Sequence, residues 1–232
     1  ISAFGFRMDD VGVVMRRNAD QGGGAQRLPR PPLLVITDRK VARRPLPEIA
    51  DACFAGGCRW LSLREKDLPH DERVALLRNL VVVGERYGAR VMVHEDVAAA
   101  RAAGAGGLHL PAGGSPAVAR QALGAAALIG ISAHDYADIV HAETEGADYV
   151  TLSPIFATAS KPGYGPALGA DELADLAAKS LIPVLALGGV DAATVGACLA
   201  AGAAGVAVMG TVMTAANPRA VTSALVAGLG LA

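Results

Sequence analysis

The sequence predicts an α/β protein, a (β/α)8 TIM barrel with a flexible N-terminal extension. Three observations carry that expectation. From Leu33 onward, short apolar runs alternate eight times with amphipathic or alanine-rich stretches, the pattern of a parallel sheet joined by helices. The chain has 232 residues, enough for one closed barrel of eight such units. An open doubly wound sheet would need a GxGxxG turn after its first strand, and Thr37, Asp38, Arg39 and Lys40 stand there instead.

The strands are expected, in order, at LLVIT (33–37), RWLSL (59–63), RVMVH (90–94) and GLHL (107–110). They continue at ALIGIS (127–132), DYVTLS (148–153), PVLALG (183–188) and GVAVMG (205–210). Helices are expected near 46–56, 71–87, 96–103, 116–123, 135–145, 170–179, 192–202 and 217–227. Residues 1–30 differ: RRNADQGGGAQRLPRPP is polar, glycine-rich and ends in prolines. They read as a flexible extension, with the barrel over 31–232.

Composition narrows the function. Hydrophobic residues make up 52%, charged ones 19% and aromatics 4%, with a formal net charge of −1. That balance gives no electrostatic reason for a nucleic-acid or membrane partner. No apolar run reaches the roughly 18 residues of a membrane-spanning helix. Cys53, Cys58 and Cys198 are odd in number and lack metal-ligand spacing, which predicts buried thiols in a reducing cytoplasm. A homo-oligomer is compatible with all of this.

A barrel carries its active site at the C-terminal ends of its strands. The stretch TLSPIFATASKPGYGPALG (151–169) gathers Thr158, Ser160, Lys161 and several glycines in one loop after a strand. Hydroxyls and backbone N–H groups suit phosphate oxygens, a lysine offsets their charge, and glycine allows close approach. The turns at Gly188–Gly189 and Gly210–Thr211 are candidate phosphate binders of the same kind. Arg64 and Lys66 are candidates for a second anion, and His94 and Ser132 for the substrate-binding wall. His134 and Glu65 are the residue types suited to proton transfer. Alternation with Leu108 and Leu110 turns His109 to the opposite face, which predicts pocket-lining or structural use rather than catalysis. Glu95 and Asp96 are hard-oxygen ligands suited to Mg²⁺, although adjacent acids also begin helices.

In this order the residues resemble the thiamine phosphate synthase/TenI family. The segments that carry the likeness are VITD (35–38), LREK (63–66), GISAH (130–134), PIFATASKPG (154–163), PVLALGGV (183–190) and AAGVAVMG (203–210). The resemblance implies a thiazole phosphate as the small-molecule substrate and one of two reactions. Synthases couple hydroxymethylpyrimidine diphosphate to the thiazole phosphate with Mg²⁺. TenI-type tautomerases aromatise the thiazole phosphate without metal. Against the synthase pattern Gln-Leu-Arg-x-Lys, Ser62 replaces the glutamine while Arg64 and Lys66 match. Asn-Asp becomes His94-Glu95, and GLHLPAGGS (107–115) carries no acid. That stretch is similar to Leu-Pro-Ser-Gly-Ser of TenI-type proteins, and His134 matches their proton-transfer histidine. The resemblance therefore implies a tautomerase with no cofactor. Its alternatives are a divergent synthase holding Mg²⁺ through Glu95, and a non-catalytic binder of thiazole or thiamine phosphates.

Overall fold

The computed structural model describes residues 27–158 and 166–230. It is a closed barrel of eight strands, each paired in parallel with its sequence neighbours, and β8 pairs with β1. The strands are β1 (Leu33–Ile36), β2 (Trp60–Leu63), β3 (Arg90–His94), β4 (Gly107–Leu110), β5 (Leu128–Ala133), β6 (Tyr149–Leu152), β7 (Val184–Leu187) and β8 (Gly205–Val208). The helices following β1 to β6 are α1 (Leu46–Ala55), α2 (His70–Glu85), α3 (Val97–Ala103), α4 (Pro116–Leu123), α5 (Tyr136–Thr144) and α6 (Gly169–Lys179). After β7 comes α7 (Val195–Ala200), and after β8 come α8 (Gly210–Met213) and α9 (Pro218–Gly228). All eight expected strands and helices are present. The one-turn α8 is an addition, where the chain coils straight off β8 before α9.

Strand alternation splits the buried side chains into two cores. One face of each strand packs against the helices, as Leu33 and Val35, Leu61 and Leu63, and Ile129 and Ile131 do. The other face fills the barrel with Leu34, Ile36, Trp60, Met92, Leu128, Tyr149, Leu185 and Ala207. Toward the C-terminal ends the inward positions turn polar: Ser62, His94, His109 and Thr151 are all buried. The helix starts near this rim are built from short polar caps. Asp96, Ser115 and Asp135 accept from the backbone N–H of Ala99, Val118 and Asp138, respectively.

The domain boundary needs a correction. Residues 1–26 lie outside the described residues, but 27–30 belong to the barrel and not to an extension. Leu28 is buried in the inner core with Leu34 and Trp60. Arg27 forms an ion pair with Asp148 and donates to the carbonyls of Ala125 and Ala127. An apolar side chain in the barrel base and a charge pinned to a buried carboxylate tie this segment to the fold.

The three cysteines are buried and free of disulfides. Burial pushes the Cys58 thiol up to about 12, so it is a protonated core group, as expected from the sequence. Among the described residues no helix is long and apolar enough to cross a membrane.

Candidate active site

A cavity of about 250 Å³ opens at the C-terminal ends of the strands. Arg64, Lys66, His94, Glu95, Ser132, His134, Thr158, Gly188, Gly189, Gly210 and Thr211 all line it. The ends of β3 and β5 and the segments after β2, β3, β5, β6, β7 and β8 thus bring together nearly every residue chosen from the sequence. Ser160 and Lys161 lie outside the described residues.

The wall at β7 and β8 is made of tightly fitted backbone. Gly188 and Gly189 both have positive φ, 96° and 65°. A Cβ on Gly189 would lie 2.6 Å from the Ala157 carbonyl oxygen and 2.7 Å from Phe156 Cβ. Only glycine satisfies both the backbone conformation and that approach. The turn is laced to the loop after β6 by Ile155 N–H to Leu187 O (2.9 Å) and Phe156 N–H to Gly188 O (3.0 Å). The Thr211 hydroxyl donates to Val190 O at 2.7 Å, fastening the β8 turn to the β7 turn. Its side chain is therefore used within the wall.

His134 follows β5. Its backbone N–H donates to Asp138 Oδ2 (2.9 Å), and its Nδ1 lies 2.8 Å from the Ser153 carbonyl oxygen. A carbonyl oxygen only accepts, so Nδ1 carries the proton and the lone pair belongs to Nε2. The ring is oriented and its tautomer fixed by the backbone of the neighbouring strand end. That is the arrangement a proton-transferring imidazole requires.

Glu65 is a correction. It does not line the cavity; its side chain is buried and fully engaged elsewhere. Oε1 accepts from the Thr37 hydroxyl (2.8 Å) and the Arg39 N–H (3.0 Å), and Oε2 accepts from Arg39 Nη1 (3.2 Å). Thr37 Oγ1 in turn accepts from Arg64 N–H at 2.9 Å. Glu65 ties the loop after β1 to the loop after β2 and so holds the backbone of Arg64. Both carboxylate oxygens are spent on these three hydrogen bonds between loops, away from the cavity where a ligand would sit.

The β3 end is crowded with charge. Lys66 and Glu95 form an ion pair on the cavity wall. Glu95 has φ 63°, the one positive φ outside glycine among the described residues. Asp96 caps α3 and pairs with Arg73 (2.6 Å) and His70 (3.2 Å). Burial works against its charge, but the Ala99 N–H, His70 and Arg73 outweigh that and hold its carboxyl below the usual range. Lys66, Arg73, His94, Glu95 and Asp96 also surround a second, adjoining cavity of about 250 Å³.

Mg²⁺ is commonly bound by one or two carboxylates together with substrate phosphates. Here Glu95 is bound to Lys66, and Asp96 is consumed by the helix cap and Arg73. Among the described residues no group of three His, Cys, Asp or Glu side chains could hold a metal ion. A divalent ion shared with a substrate phosphate would have to displace Lys66 from Glu95.

Sequence reasoning missed Arg73, which donates to the carbonyls of Glu65, Lys66 and Leu68 from α2. No local pattern marks a helix residue that reaches back to the preceding loop. It also missed Tyr149 beneath the cavity. The signal there was Gly130 on the paired strand, whose missing side chain makes room for the phenol ring.

The profile of the TMP-TENI family, described as thiamine monophosphate synthase, matches residues 33–212. A Geobacter sulfurreducens protein, named as a candidate thiamine-phosphate synthase, is 43% identical over 197 residues, covering 84% of this chain and 92% of its own. The thiamine-phosphate synthase of Roseiflexus sp. strain RS-1 is 37% identical over 193 residues, 82% of each chain. Among solved structures, thiamine phosphate pyrophosphorylase from Pyrococcus furiosus is similar with a TM-score of 0.78 at 28% identity. That likeness covers 89% of this chain and 97% of the other.

Proposed function

The chain belongs to the thiamine monophosphate synthase (TMP-TENI) family, and from that premise we propose that it is a thiazole-phosphate enzyme that aromatises its substrate by proton transfer. The observation that carries the reaction is the His134 ring, with Nδ1 bound to the Ser153 carbonyl and the basic lone pair on Nε2. The substrate's phosphate would rest on the turns at Gly188–Gly189 and Gly210–Thr211, beside Thr158. Arg64 and Lys66 would take its carboxylate. His134 Nε2 would accept a proton from the saturated ring carbon, and a proton returned to the substrate would complete the isomerisation. Atoms and charge balance without a co-reactant, and aromatic stability favours the product. Glu65 enters through Thr37 and Arg39 as a positioning residue for Arg64. Three buried free cysteines support a reducing cytoplasm as the setting.

The second reading is the coupling of hydroxymethylpyrimidine diphosphate to thiazole phosphate, and the names of the relatives favour it over tautomerisation. Against it stands the engagement of both carboxylates at the β3 end by protein cations, Glu95 by Lys66 and Asp96 by Arg73. The test is a parallel assay of purified protein. One arm is the non-aromatic thiazole carboxylate phosphate in chelator; the other is the two precursors with Mg²⁺. The expected result is metal-independent aromatisation that falls by roughly 10²- to 10⁴-fold in His134→Ala. Thiamine phosphate formed in the second arm, with no turnover in the first, replaces the tautomerase reading with the synthase reading. Binding without turnover in either arm makes the protein a phosphate-ligand binder.

A further inference from the structure

A buried polar chain that the mechanism above does not use runs from the cavity wall, where His109 and Ser132 are lining residues, into the barrel. His109 is 1% exposed and inward-facing on β4. Its Nδ1 is 3.0 Å from the Tyr149 hydroxyl, and its Nε2 is 3.2 Å from Ser132 Oγ and 3.3 Å from Thr151 Oγ1. The phenol proton of a fully buried tyrosine needs an acceptor. Met92 Sδ is a poor one: it lies 4.0 Å away and already accepts from Trp60 Nε1 at 2.8 Å. His109 Nδ1 is the acceptor that remains, so the imidazole proton sits on Nε2 and is donated to the hydroxyls of Ser132 and Thr151. With its oxygen so engaged, Ser132 directs its own O–H elsewhere, and Ser132 lines the cavity two residues before His134.

We propose that Tyr149 and His109 form a positioning relay that fixes the Ser132 hydroxyl as a hydrogen-bond donor to an anionic oxygen of the substrate. The relay rests on the thiazole-phosphate reading for the identity of that oxygen, but not for its own direction. The direction runs Tyr149 O–H to His109 Nδ1, His109 Nε2–H to Ser132 Oγ, Ser132 O–H to ligand. Protonating His109 would reverse the first bond. Burial prevents this by holding the imidazole down to about 3, with the charges of Lys66 and Arg64 adding to the effect.

The relay is read directly by nitrogen-15 NMR of histidine-labelled protein without ligand. His109 should be neutral with the proton on Nε2 from pH 5 to 8, and Tyr149→Phe should shift it toward a mixture of tautomers. Phenylalanine keeps the ring that fills the space beside Gly130, so this variant should fold. Titration with thiazole phosphate then measures function. Ser132→Ala and Tyr149→Phe should each weaken binding, by roughly tenfold for the loss of a donor to an anion. The double variant should be no weaker than Ser132→Ala alone. A proton on Nδ1 in the wild type, or a Tyr149→Phe loss that persists in the Ser132→Ala background, overturns the relay. Correct tautomer with no thiazole phosphate binding by the wild type leaves the relay standing and removes the substrate reading.

Discussion

At β7 and β8 the cavity wall is backbone, two glycine turns locked to each other and to the loop after β6. At β2 and β3 it is side chain: Arg64, Lys66, His94 and Glu95, with Arg73 behind them. The first wall has little freedom, because Gly188 and Gly189 admit no Cβ and their hydrogen bonds are short and regular. The second is a set of flexible groups whose partners can be exchanged one residue at a time. Phosphate recognition written in backbone is hard to alter without disturbing the barrel. Recognition written in side chains can change reaction while the fold stays the same.

The largest effect should come from breaking the rigid wall. Gly189→Ala places a Cβ against the Ala157 carbonyl in a strained conformation, and should cost about 3 kcal/mol of stability. Calorimetric titration with thiazole phosphate should show binding lost together with a lower melting temperature. On the other wall, Glu65→Ala should cost about 2 kcal/mol by leaving the Thr37 hydroxyl and the Arg39 N–H without their acceptor. Steady-state kinetics should then show KM raised through Arg64, with kcat changed less. The third test is pH. Folded His109 is held down to about 3, whereas the unfolded imidazole takes a proton near 6.5. Its contribution to stability is therefore complete above pH 6.5 and lost as pH falls toward 3, by up to about 1.4 kcal/mol per pH unit. His109→Gln should remove that share of the slope in denaturation curves taken from pH 7 to 4.5. The smallest effect belongs to Glu95→Gln. Loss of an exposed ion pair with Lys66 should change stability by under about 1 kcal/mol, yet raise affinity for inorganic pyrophosphate as the lysine is released. An unchanged affinity would mean that the pair does not set the charge of this wall.

Period-two alternation made much of the site legible in advance. Ser62, His94, His109 and Ser132 occupy inward positions because their apolar neighbours Leu61, Val93, Leu108 and Ile131 pack outward. The same rule, carried past the end of β2, accounts for Glu65. Arg64 and Lys66 share one face and line the cavity, and the residue between them faces away. Other features depend on contacts between distant segments. His94 and Glu95 both line the cavity although adjacent, which alternation forbids and the left-handed backbone at Glu95 permits. Arg73 reaches its carbonyl partners across the start of α2. Leu28 lies in a stretch whose composition is that of a linker, and its role comes from the cavity it fills, not from any local periodicity.

That leucine bears on how the gene may be trimmed. The family profile begins at residue 33, and a clone cut there would look complete by homology. It would lack the stopper in the barrel base, and Asp148 would keep Arg120 but lose Arg27. Expression vectors and domain-fusion designs for this chain should retain everything from Arg27 onward.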